Sequence, residues 1–139
     1  MAEGGHEMQL IVTTPTRVIV DEPVRSVQAE DETGRFGIEP GHEHFLTTTV
    51  ASIVLYRPVG GGEKYVAVDH GTLRVTPKRV QVATRQAVAS DNLDELERIV
   101  EESFEKEQET HRRAAASFAE IELSAWRKMM EYEQRQART

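Results

Sequence analysis

Few side chains in this sequence have the type and spacing to do chemistry. His42 and His44 stand two apart around Glu43, which on a strand would put both imidazoles on one face. A metal site needs further ligands, and none stands out at a binding spacing, so no metal is expected. His70 beside Asp69 reads as a turn pair. Ser52 and Ser90 have no base in prospect, and no G-x-S-x-G elbow occurs. Gly60-Gly61-Gly62 lacks a following Lys-Ser or Lys-Thr pair, so it reads as a hairpin tip and not as a phosphate-binding loop. No dinucleotide fingerprint is present either. With no cysteine, disulfides, thiol nucleophiles and cysteine zinc sites are excluded. No catalytic residue is assigned, and a non-catalytic chain is expected.

Binding chemistry is better represented, in two places. The first is Gly34-Arg35-Phe36-Gly37-Ile38-Glu39-Pro40-Gly41-His42. Its glycines and Pro40 suit a sharp turn, a very short strand and a second turn, with Arg35 and Phe36 offered at the exposed turn for contact. The second is the last third of the chain, where Arg112, Arg113, Arg127 and Lys128 accompany Phe118 and Trp126. One reading pairs these cations with nearby glutamates four residues away on a solvated helix face. The other docks them on an acidic partner, with Phe118 and Trp126 as apolar anchors.

The elements that must position these residues change character near Ser90. Residues 1–7 read as a lead-in and 8–89 as an antiparallel β-sandwich, with short strands punctuated by turns about every ten residues. Strands are expected near Gln9–Thr13, Val18–Val20, Val24–Ala29, Phe45–Thr49, Ala51–Tyr56, Lys64–Val68, Thr72–Val75 and Arg79–Thr84. Asp21-Glu22-Pro23 is read as a break between the second and third. From Asp91 to Thr139 there is no glycine and no proline, so residues 90–139 read as helical, with Asp91 as a cap. Leu93, Leu96, Ile99, Val100 and Phe104 form one apolar stripe. Residues 105–113 hold no apolar side chain, and a second stripe resumes at Ala114. A helical hairpin joined near Thr110 and one long helix are both compatible with this pattern. The 139 residues carry a net charge of -7, which excludes nucleic acid as a general partner. Apolar runs are too short to span a bilayer and the start is not signal-like, so a soluble cytoplasmic chain without membrane insertion is expected.

These residues resemble the epsilon subunit of F-type ATP synthases, called delta in mitochondria. The likeness rests on the Gly-x-x-Gly-Ile-x-Pro-Gly-His stretch at residues 34–42 and its continuation to Thr47. The Leu10–Thr14 start, the Tyr65–Val68 strand before Gly71, Val80–Thr84 and the order of β domain then helices support it. The tail without helix breakers is similar to that of a sodium-type bacterial branch. The resemblance implies a non-catalytic subunit of the central stalk, peripheral on the cytoplasmic face of the bacterial membrane. Its implied partners are the gamma subunit, the membrane rotor ring and, through the C-terminal helices, the catalytic alpha–beta hexamer. It also implies a tail that regulates hydrolysis, with Gly34–His42 at the gamma or ring interface. Some members bind ATP through Ile/Leu-Asp-x-x-Arg-Ala. Here Leu93 and Asp94 match, but Glu97 takes the arginine position and Arg98 the alanine position. An acid there repels phosphate, so no cofactor is required and ATP binding is not expected. The rival reading is a free-standing β-sandwich binding module, a nucleotide sensor with a helical dimerisation tail.

Overall fold

A computed structural model describes residues 7–137, without the side chains of residues 105, 107, 108, 110, 111, 115, 117–122, 136 and 137. The chain divides into two compact units, Met1–Glu105 and Lys106–Thr139.

Among its described residues the first unit holds nine strands: β1 Met8–Thr13, β2 Val18–Asp31, β3 Gly34–Ile38, β4 Phe45–Thr49, β5 Ser52–Pro58, β6 Lys64–Val68, β7 Gly71–Thr76, β8 Arg79–Thr84 and β9 Ala87–Ser90. The strand order is β1-β8-β7-β4-β2-β5-β6-β9, with β3 added on β2. Every ladder is antiparallel except β1 with β8. Because β1 also pairs with β2, the sheet folds back on itself into two layers around one core. Period-two alternation supplies that core: Leu10 and Val12, Val66 and Val68, Leu73 and Val75, Val80 and Val82 are all buried. Each such side chain contributes about 1.5–3 kcal/mol when removed from water.

β2 corrects the expected break at Pro23. Its first half pairs with β1 and its second with β5 and β3, so a single strand serves both layers. Pro23 lies opposite Gln9, and the register slips between Val24 and Ser26 immediately after it. A proline without an N–H is tolerated beside such a bulge, and its carbonyl still accepts from Val59 N–H at 3.2 Å.

After β9, α1 (Leu93–Ile99) runs into a π-helical turn (Val100–Phe104). The cap is Asn92, not Asp91: its side chain accepts from Glu95 N–H at 3.2 Å. Leu96, Val100 and Phe104 are buried against Ala67, with Ile53 and Tyr65 partly covered beside it. Ala67 lies between inward-facing Val66 and Val68, so this patch is the outer face of the β5–β6 ladder. Anchors four apart drift by about 40° per step on an α-helix, and the wider π turn brings Phe104 back into line. Sheet and first helical turns thereby form one unit.

The second unit holds the helix α2, Glu105–Ala137, of 33 residues, from its second residue onward. Thr110 lies inside it, so there is no hairpin turn at that point. Of the two helical arrangements left open by the sequence, α2 takes the single-helix form.

Candidate interaction site

The Gly34–His42 stretch is built from the β2–β3 hairpin outward. The turn Glu32–Thr33 joins the strands, and Gly34 follows at φ 121°, where a side chain would strain the backbone. The Asp31 carboxylate fixes that turn. It accepts from Thr33 N–H at 2.9 Å, from the Thr33 hydroxyl, and from the Thr47 hydroxyl at 2.9 Å. The Thr33 and Thr47 hydroxyls hold its pKa below the usual carboxylate value, against the opposing effect of burial. Asp31 therefore ties the hairpin to β4.

Residues 34–38 are strand and not turn, which relocates the two residues chosen for contact. Arg35 and Phe36 project to opposite faces of β3. Arg35 is exposed, donates to the Ile53 carbonyl at 3.0 Å and lies 3.7 Å from the Glu30 carboxylate. Phe36 packs against the core and meets the Phe45 ring edge-on at 5.6 Å. Gly37 is exposed and Ile38 buried. The second turn is real: Gly41 has φ 83° and donates to the Pro77 carbonyl at 2.9 Å, while His42 N–H donates to Glu39 at 3.2 Å. The His42 Nδ1 lies 2.8 Å from the Glu43 carbonyl, and its ring meets Phe45 at 6.2 Å.

Beyond this stretch the structure adds a residue that the sequence reading did not single out. Leu46 is 67% exposed at the outer side of β4, and with His44, Phe45, Arg74 and Val75 it lines a shallow depression. The available signal was two large apolar residues side by side in a strand, one of which alternation must expose.

A second carboxylate is enclosed more deeply. Asp69 has no exposed surface. Its Oδ2 accepts from Arg85 Nε at 3.2 Å and from the Arg85 terminal nitrogen at 2.8 Å, and its Oδ1 from His70 N–H at 2.7 Å. Burial raises its pKa, but the Arg85 and His70 donors outweigh burial and leave it below the usual value. His70 and Asp69 thus meet as neighbours in the turn, with the His70 Nδ1 3.2 Å from the carboxylate. Among the described residues, no group of three or more His, Asp or Glu side chains could hold a metal ion.

A family model for the β-sandwich domain of ATP synthase delta/epsilon chains matches residues 7–90. The chain belongs to the ATP synthase delta/epsilon family. It is 34% identical to "ATP synthase epsilon chain 2" of Cereibacter sphaeroides, covering 90% of this chain and 87% of that one. It is 30% identical to the protein of the same name from Paraburkholderia xenovorans, over 90% and 91% of the two chains. The fold is also found in a chain from the cryo-EM structure of the Euglena gracilis mitochondrial ATP synthase OSCP/F1/c-ring, with TM-score 0.59 and 23% identity. That likeness covers 70% of this chain and 63% of the other. As in other members of the delta/epsilon family, the chain is a non-catalytic subunit.

The remaining predicted positions lie on the helices. Leu93, Asp94 and Arg98 are all exposed on α1, as is Glu97. On α2, Arg112, Arg113, Arg127 and Lys128 are exposed, and Trp126 is 64% exposed. Arg113 pairs with Glu109 at 3.3 Å, four residues back, as the solvated-face reading expects. The Phe118 side chain lies outside the described residues.

Proposed function

We propose that this chain is the epsilon subunit of an F-type ATP synthase, a non-catalytic part of the central stalk that links gamma to the membrane rotor ring. The observation that carries this reading is the family match over the whole sandwich together with epsilon relatives aligned along nine tenths of the chain. In this reading the subunit is peripheral on the cytoplasmic face of the membrane. No helix among the described residues is long and apolar enough to cross it. The Gly34–His42 stretch meets gamma or the ring, with Pro40, Gly41, His42 and Leu46 towards one end of β3 and Arg35 at the other, beside the β2–β3 hairpin. Exposed Trp126, Arg127 and Lys128 reach the alpha–beta hexamer and regulate hydrolysis.

Co-purification tests the assignment: a tagged chain should bring down gamma and the hexamer. A chain that emerges alone, and whose melting temperature rises with ATP and magnesium, is a nucleotide sensor instead. For the interface, Arg35→Glu gives up only an exposed ion pair worth under about 1 kcal/mol and one hydrogen bond. Its fold should persist while its retention on the ring falls. An unfolded variant would make Arg35 scaffold.

A further inference from the structure

The two sheet faces that point away from the core differ. The first helical turns cover the outer side of the β5–β6 ladder, whereas the outer side of β4, β7 and β8 is open. Leu73, Val75, Val80 and Val82 are buried, so alternation sends Thr72, Arg74 and Thr76 of β7 and Arg79 and Gln81 of β8 outward. Leu46 and Thr48 of β4 lie opposite Arg74 and Thr72. The chain has 24 aspartates and glutamates but none on these three strands, so arginine alone sets the charge of this face.

Arg74 lies opposite Gln81 and Arg79 opposite Thr76, which makes the two arginines diagonal neighbours about 7–8 Å apart at their backbones. Both are exposed, and neither side chain has an ion pair or hydrogen bond among the described residues. Arg35, Arg57, Lys64 and Arg85 of the same unit, by contrast, each meet a carboxylate. Lys78, exposed in the β7–β8 turn, adds a third unpaired cation. Cations held this close repel one another, and an anion laid across them relieves the repulsion.

Membrane phosphates and polypeptide carboxylates both carry the required charge, and the shape of the face favours the polypeptide. Of the outward side chains on these strands only Leu46 is a large apolar group, too little for insertion among lipids. Thr72, Thr76 and Gln81 offer hydrogen bonds along a line beside the arginines. Carboxylates two residues apart on an extended segment are about 6.6 Å apart, close to the arginine spacing. Each guanidinium fork can take one through two parallel hydrogen bonds.

We propose that the outer face of β4, β7 and β8 docks an acidic segment of a partner protein. An extended Glu-x-Glu stretch pairs with Arg74 and Arg79, and an apolar neighbour meets Leu46. This goes beyond the stalk reading, which uses neither arginine.

The test titrates the full-length chain into a rhodamine-labelled Leu-Thr-Glu-Thr-Glu-Thr peptide, followed by fluorescence anisotropy. The same peptide with glutamine for glutamate is the control. Saturable binding that weakens with added salt is expected for the acidic peptide alone. Arg74→Gln and Arg79→Gln should each weaken it about two- to fivefold, and together about tenfold. Arg25→Gln, which removes an exposed cation of β2, should leave it unchanged. The double variant Arg74→Glu, Arg79→Glu should lose the glutamate peptide and gain one with lysine in its place, a result that loss of fold cannot imitate. Absence of saturable binding, equal binding of the two peptides, or an Arg25→Gln effect as large as that of Arg74→Gln would overturn the proposal. Sedimentation with phosphatidylglycerol vesicles that depends on Arg74 and Arg79, without peptide binding, would make this a membrane face instead. Co-purification judges the stalk reading separately, so either can fail alone.

Discussion

Enclosing the Asp69 carboxylate costs solvation, and the donors that offset this loss are Arg85 and the neighbouring His70. Because its folded pKa lies below the ordinary value of 3.8, Asp69 stabilises the protein above that pH. The contribution is lost as pH falls through the lower folded value. Asp69→Asn should therefore cost about 1–3 kcal/mol at neutral pH in urea unfolding, and that gap should narrow in acid. Next to it, Gly71 has no room for a side chain: a Cβ would lie 2.2 Å from the Ala83 carbonyl oxygen. Gly71→Ala should lower stability by about 3 kcal/mol or more, seen as a fall in melting temperature. Neither residue announced this in the sequence. Asp69 was legible as a turn residue beside His70, but its partner Arg85 lies across a strand pair. The same holds for Asp31, whose acceptance from Thr47 depends on which strands meet. Local spacing carries turns, whereas partners are set by topology.

At the level of elements, alternation made most strands readable, and Gly34–His42 was legible as turn, strand, turn. Pro23 misled because a proline usually ends a strand, and only the bulge beside it explains its place in β2. Arg35 and Phe36 were assigned to a turn because their flanking glycines suggested one; the pairing of Ala29 with Phe36 makes them strand. On the first helical turns, Leu96, Val100 and Phe104 were visible as a stripe, while the π turn that aligns them was not. Phe104 is 2% exposed, the largest fully buried side chain among the described residues. Phe104→Ala should destabilise by about 3–5 kcal/mol in chemical unfolding. A loss below about 1 kcal/mol would mean the helix merely rests on the sheet.

For the whole molecule, the boundary at Glu105 decides how the tail should be removed. Ending the chain after Ser90 would bare Ala67, Ile53 and Tyr65, and confuse loss of regulation with damage to the sheet. Ending it after Glu105 keeps the first unit whole. If α2 restrains hydrolysis, the complex carrying the shorter subunit should hydrolyse ATP several-fold faster; an unchanged rate would remove that role. The pairing of β1 with β8 has a different bearing, on the order of events during synthesis. Leu10 meets Val80 across nearly the full length of the sandwich sequence. A strand translated among the first therefore waits for one translated among the last, and until then it can pair only with β2. Closing so long a loop is slow, so the nascent sandwich spends its synthesis with one edge of β1 open to other chains.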